Sequence, residues 1–294
     1  MNTEGSTKRR EQLIIVRGGG DLASGTIHRL CRCGYPVLVL ETAAPSAIRR
    51  QVAFSEAVYD GFAAIEDIGC QRVENLSEAW KVMKQGKAAL MIDEQCRILQ
   101  EVRPWALVDA ILAKKNLGTH RDMADRTIAL GPGFVAGRDV DLVIETKRGH
   151  DLGRIIESGS AFPNTGIPGE IAGYGKERVL HSPAEGVIHT LTDIGTRVEK
   201  DKLLAEVITA DEKVPVKATL TGLLRGMIRD GYQVTKGFKI ADIDPRDSEY
   251  KNCFTISDKA RCIAGSVLEG LLYLENGRRN AVLDRGKSNL AGIQ

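Results

Sequence analysis

Three features of the sequence predict an α/β protein in which a mostly parallel, Rossmann-like sheet carries an inserted small all-β domain. Short aliphatic runs end repeatedly at a glycine or an acid, a glycine fingerprint joins the first run to a helical pattern, and a 36-residue repeat fills much of the second half. Residues 1–10 read as a disordered polar tail, 11–177 as the nucleotide-binding domain and 178–245 as the all-β domain. Residues 246–276 return to the first domain, and 277–294 form a mobile tail.

The first unit is Leu13-Ile14-Ile15-Val16-Arg17-Gly18-Gly19-Gly20-Asp21-Leu22-Ala23. Its aliphatics make a buried strand, and Ile27, Leu30 and Cys31 continue at helical spacing up to Gly34. Gly18, Gly20 and Ala23 occupy the small-residue positions of a dinucleotide fingerprint. The first glycine turns the chain, the second lets backbone approach a diphosphate, and the third small residue seats the helix on the strand. The helix N-terminus faces the anion, with Asp21 beside it. Val37 to Leu40 is a second strand ending at Glu41, 21 residues beyond Gly20, where a carboxylate meets ribose hydroxyls in such folds.

The elements that follow repeat the same grammar. Pro45 to Val52 is predicted helical, with Arg49 and Arg50 either meeting an anion or lying on a solvated face. Phe54 to Gly61 is predicted to hold a short strand, and Asn75 opens a helix that stops at Gly86. Ala88 to Ile92 and Trp105 to Asp109 are buried strands. Lys114 and Asn116 follow a strand end, where open α/β sheets bind ligands, and are candidate contacts alongside an ordinary polar-loop role. Thr127 to Leu130 then enters Gly131-Pro132-Gly133, and Leu142-Val143-Ile144-Glu145-Thr146 echoes Leu38-Val39-Leu40-Glu41-Thr42. The space between is too short for a crossover helix, so this second unit is abbreviated. Gly131 and Gly133 either bring amides to the same cleft or form a plain turn. The glycine-rich stretch from Lys147 to Gly175 contains Asp151, Asn164 and Thr165, read as parts of an ordered site loop.

From Arg178 onward a shift of 36 aligns Gly186 with Gly222, Gly195 with Gly231, Val198 with Val234 and Val207 with Ile243. Neither half can bury its face alone, so the two pack together. The pattern resembles the biotinyl/lipoyl-type barrel-sandwich fold, whose carrier lysine would fall at Lys213. Acidic neighbours make Lys213 a solvated residue rather than an attachment site. Ser257 then caps a helix running from Asp258 to Leu274 that returns to cover the first sheet.

Composition narrows the function. A net charge of +2 across 294 residues offers no basic surface for nucleic acid. Six scattered cysteines suit reduced thiols in a cytoplasm, and no apolar run reaches the ~18 residues of a membrane span. No metal site is expected, since Cys31 and Cys33 point apart on a helix. Cys253, ahead of a helix N-terminus, is the one thiol placed for chemistry, against inert burial.

Several long motifs then resemble one family. Ile14 to Ala23, Val52 to Tyr59, Gly131 to Phe134, Glu145 to Gly153, Asn164 to Gly169 and Cys253 to Ala260 are similar to the YqeB-like proteins, from about Leu13 to Leu274. These are accessory proteins of selenium-dependent molybdenum hydroxylases, related to the XdhC/CoxF maturation factors. The resemblance implies a role in inserting or completing a cofactor, with a hydroxylase apoenzyme and cofactor-biosynthesis proteins as partners. The implied ligand bears a nucleotide: a molybdopterin dinucleotide or NAD(P). Gly18, Gly20, Asp21, Ala23 and Glu41 would form its turn and ribose site, completed by Lys114, Asn116, Gly131, Gly133, Asp151, Asn164 and Thr165. The glycine-cysteine cluster of broader XdhC proteins has no counterpart in this sequence, so no cysteine inherits sulfur chemistry. A homo-oligomer is compatible with this reading. The rival is an NAD(P)-dependent oxidoreductase using the same cleft, although no hydride-transfer constellation can be assigned.

Overall fold

The computed structural model describes residues 11–164, 166 and 169–277, so the expected terminal tails and Thr165 lie outside the described residues. Strand β1 (Ile14–Arg17) turns at the glycines into α1 (Asp21–Arg32) and returns as β2 (Val37–Glu41). Alternation along these strands builds two cores. Ile14, Val16, Val37 and Val39 face α1, while Leu13, Ile15, Leu38 and Leu40 face the opposite side.

A hairpin of β3 (Phe62–Ile65) and β4 (Ile68–Arg72) follows, then α2 (Leu76–Met83) and β5 (Ala88–Ile92). The Asn75 side chain accepts the Glu78 amide and starts α2. Strands β6 (Ala106–Asp109), β7 (Thr127–Leu130), β8 (Leu142–Ile144) and β9 (Ile155–Ile156) complete a nine-stranded sheet ordered β3-β4-β5-β2-β1-β6-β7-β8-β9.

This sheet corrects the expected fold class. Its two edge pairings, β3 with β4 and β8 with β9, are antiparallel, so the sheet is mixed. The connections between β5 and β8 carry only short 3₁₀ turns, not the α-helices of a doubly wound Rossmann-like domain. A late helix supplies the missing cover. α3 (Asp258–Glu275), capped by the Ser257 hydroxyl on the Ala260 amide, lies on α1 and reaches β7 and β8. Gly25 of α1 sits so close to Ala260 that a Cβ would come within 2.8 Å of its methyl. Gly270 similarly lies over Ile128 and Leu142.

Two local expectations also fail. Pro45 to Val52 forms no α-helix, only a 3₁₀ turn at Arg50–Val52. Tertiary bonds hold it: the Ile48 carbonyl accepts the Met227 amide at 2.8 Å, and Arg50 donates to the Met227 carbonyl at 2.9 Å. Phe54 to Gly61 is a 3₁₀ turn and a single helical turn, not a strand. The Ser24 hydroxyl accepts the Phe54 amide at 2.8 Å and the Gly19 carbonyl accepts that of Ser55 at 2.9 Å, folding the segment against the glycine turn.

The repeat region forms two separate four-stranded antiparallel sheets, which replace the expected biotinyl/lipoyl-type barrel-sandwich. One is ordered β10-β17-β15-β12 and the other β14-β13-β11-β16. Their strands are β10 (Val179–His181), β11 (Gly186–Thr190), β12 (Arg197–Val198), β13 (Leu203–Ile208), β14 (Lys213–Lys217), β15 (Gly222–Met227), β16 (Gln233–Val234) and β17 (Lys239–Asp244). The 36-residue shift carries each sheet onto the other, so the halves exchange strands: Gly186 pairs with Val234, and Gly222 with Val198. Lys213 opens β14 and pairs with Glu206 at 3.4 Å.

Gly186 and Gly222 hold equivalent places. A Cβ at Gly186 would strike the Ile208 carbonyl oxygen, and one at Gly222 the Asp244 carbonyl, 36 residues later. Gly222→Ala should therefore destabilise the chain by about 1–3 kcal/mol through overpacking. A fall of several degrees in melting temperature checks this; an unchanged transition would show that the strands can part freely.

Candidate functional site

The glycine turn opens at the carboxyl ends of β1, β2 and β6 onto a cleft of about 710 Å³, within the range that binds small ligands. Gly18, Gly20, Asp21, Ala23 and Glu41 all line it. Gly18 has φ +92°, which a side chain would resist. Gly20 precedes α1 with extended backbone (φ −64°, ψ 178°), and no side chain caps the helix there. A Cβ at Gly20 would find nothing within 4 Å, so its α-carbon faces open cleft. The first-turn amides of α1 and the positive end of its dipole are thus presented to a ligand.

Glu41 forms the wall of this turn. Its Oε1 accepts the Gly19 amide at 2.8 Å and its Oε2 the Thr42 amide at 2.7 Å. Burial pushes its carboxyl above the ordinary range, while the two amides pull it back. Glu41, expected from sequence as a ribose acceptor, braces the glycine turn.

Two lining residues escaped sequence reasoning. Arg17 lies in an aliphatic run yet turns its guanidinium to the Thr119 hydroxyl and the Glu94 carbonyl, 3.6 Å from Asp109. Burial pushes the Asp109 carboxyl up, opposed by the Thr119 hydroxyl and by Arg17. Ser55 is fully buried, lines the cleft, and its Oγ has no hydrogen-bond partner. The strand expected over Phe54 to Gly61 hid it. A buried hydroxyl on a segment tied to a glycine turn is visible only in three dimensions.

The other candidates gather elsewhere. Lys114 donates to the Asn164 side-chain oxygen at 3.2 Å once that amide is turned to accept. Gly133 packs on the Lys115 backbone, and a Cβ at Gly131 would meet the Thr146 hydroxyl at 2.6 Å. Asn116 is a loop brace: its side chain accepts the Gly118 and Thr119 amides at 2.9 and 2.8 Å, positioning Thr119 for Arg17. Asp151 pairs with Arg154 at 2.7 Å. None of these lines the α1 cleft, so the structure separates them from its residues. Thr165 lies outside the described residues.

The cysteines are free among the described residues, and Cys253 is 1% exposed. Burial pushes its thiol up despite Arg225 and Arg49, in keeping with inert burial, the alternative set beside a helix-favoured thiolate. His28, Glu66 and Asp67 form a group of metal-ligating side chains, but Arg261 and Arg32 engage the two carboxylates.

At the start of α3, Arg148 forms paired hydrogen bonds of 2.9 and 3.0 Å to Asp258, tying the loop after β8 to the helix. This guanidinium pulls the Asp258 carboxyl down to about 2. A carboxyl depressed in the folded state stabilises above its unfolded value and loses that contribution as pH falls toward 2. Asp258→Asn should lower the melting temperature at pH 7, and the gap to wild type should close on acidification from pH 5 to pH 2. Thermal scans across that range test it, and a gap independent of pH would contradict the ion pair.

No family profile matches the chain. An Escherichia coli K12 chain named "Uncharacterized protein YqeB" is 46% identical over 263 residues, covering 90% of this chain and 48% of its own length. An aspartoacylase family protein from Mesorhizobium loti is 13% identical at TM-score 0.28, covering 80% of this chain and 85% of that one. A succinylglutamate desuccinylase from Silicibacter is 12% identical at TM-score 0.25, covering 79% and 84%. None of these three names mentions molybdenum cofactor maturation, the role that the resemblance implies. The chain is YqeB-like over nine tenths of its length and spans about half the length of that relative.

Proposed function

We propose that the α1 cleft holds a nucleotide-bearing cofactor, and that the chain serves as an accessory protein passing it to an apoenzyme. One observation carries the reading. Gly20 leaves its α-carbon open to the cleft at an uncapped helix N-terminus, where an anion gains the helix dipole and the free first-turn amides. The cleft's volume of about 710 Å³ suits a ligand larger than a free phosphate. Glu41, at the end of β2, holds the turn in that shape while its carboxylate borders the same space. Kinship with the XdhC/CoxF maturation factors belongs to this proposal and supports the accessory role, with cofactor-biosynthesis proteins as donors. NAD(P) and a molybdopterin dinucleotide both present a diphosphate and ribose to such a turn.

The test is a thermal-shift series with NAD, NADP, FAD, CTP and molybdopterin cytosine dinucleotide. A true ligand at a hundredfold excess over its Kd stabilises by about 2.7 kcal/mol. Gly20→Asp is the informative variant. Its extended backbone and open surroundings accept an N-cap aspartate, so the fold should persist while the carboxylate repels the diphosphate. Stabilisation by one dinucleotide, lost in Gly20→Asp, supports the reading. No shift with any member of the series sinks it, and NAD(P)H turnover with a small substrate would favour an oxidoreductase instead.

A further inference from the structure

The charge around the cleft is the wrong sign for a bare diphosphate. Asp21, Glu41, Asp93 and Glu94 line it, and Arg17 is the lining cation. Arg17 is already engaged by Thr119, Asp109 and the carbonyls of Glu94 and Leu117. From outside the lining, Arg49 reaches Asp21 at 3.6 Å, and Lys259 acts on Asp21 electrostatically from the start of α3. The Asp93 carboxylate accepts the Ile98 amide, whereas that of Glu94 has no partner among the described residues. An anion entering this space meets carboxylates before it meets a free cation.

A second, independent feature points to an oxygen-rich ligand in the same place. Ser55 packs on Gly19, whose Cβ would lie 2.9 Å from the Ser55 nitrogen, and its buried hydroxyl lines the cleft with nothing to bond. A buried hydroxyl left unsatisfied is costly, and a phosphate oxygen at the α1 N-terminus would satisfy it.

Resting on the nucleotide reading, we infer that the cleft takes its diphosphate as a divalent-cation complex. The Ser55 hydroxyl donates to a phosphate oxygen, and Asp21 faces the metal. Magnesium fits this arrangement, because it is usually held by one or two carboxylates together with substrate phosphates and retained waters. The cleft's carboxylates do not close into an all-protein cage: among the described residues, the group of three such side chains within ligating distance of one another is His28, Glu66 and Asp67, away from this cleft. The cation thus arrives with the ligand and cancels the acidic lining.

Isothermal titration of the full chain with inorganic pyrophosphate, in excess Mg²⁺ and then in EDTA, tests the inference, with Mg²⁺ alone as control. Binding should be at least tenfold tighter with Mg²⁺. Ser55→Ala removes a hydroxyl that bonds nothing in the unliganded protein, so its melting temperature should match wild type while pyrophosphate binding weakens at least fivefold. Asp21→Asn should shrink the Mg²⁺ advantage. Equal affinity in EDTA, no binding in either condition, or unchanged affinity in Ser55→Ala would overturn the inference. The two readings separate cleanly. A dinucleotide that binds equally well in EDTA leaves the nucleotide reading standing and removes this one. Pyrophosphate binding with Mg²⁺ while every nucleotide fails overturns the nucleotide reading and leaves a cation–diphosphate site alone.

Discussion

Much of the site depends on one buried carboxylate. Glu41 takes one amide from the glycine turn and one from its own strand end, and so fixes the distance between the exits of β1 and β2. Hydrogen bonds to a charged group contribute about 1.5–3 kcal/mol each, which offsets part of the desolvation that burial imposes. With Gly19 held from that side, its carbonyl accepts the Ser55 amide and the Ser24 hydroxyl from the other. The turn is therefore clamped at its middle glycine, leaving Gly20 open in front of it.

The same device appears at the other end of the sheet. Glu145 directly follows β8, and like Glu41 at the end of β2 it takes a near amide and a distant one: Lys147 at 2.6 Å and Phe162 at 2.8 Å. The repeated aliphatic-Glu-Thr pattern is legible in sequence because each acid must sit where a buried strand runs out of partners. What the repeat builds is a loop staple rather than a second copy of the cleft. Gly131 and Gly133 fit that account, since close approaches by Thr146 and Lys115 already explain the missing side chains.

Periodicity revealed β1, α1, β2 and α3 because burial alone dictates their residues. Segment 45–61 departs from its expected helix and strand for the opposite reason. Its conformation is set by partners far along the chain: Arg49 donates to the Asn252 carbonyl, Met227 to that of Ile48, and Arg229 reaches Glu56 and Asp60. No local pattern encodes such contacts. Ser55 lies in that segment, and Arg17 ends an aliphatic run whose local pattern says nothing of its distant partners, Thr119 and Asp109. The mixed sheet was hidden similarly: a helix arriving more than a hundred residues later, α3, covers strands whose own connections carry none.

These long-range contacts give the all-β unit a part in the cleft. The cleft wall at Ala44 to Ala47 is held at both ends. The Tyr59 hydroxyl donates to the Pro45 carbonyl at 2.9 Å, the Tyr232 hydroxyl to that of Ala44 at 3.3 Å, and the Met227 amide to that of Ile48. Gly226 lets β15 approach this wall, where a Cβ would meet the Ile48 carbonyl at 3.0 Å. Met227 and Tyr232 also pack in or against the core that the interleaved repeat encloses. A ligand that presses on Ala44 to Ala47 thus bears on a rigid sheet rather than on a loose loop. The repeat supplies the fixed surface against which the α1 cleft is formed.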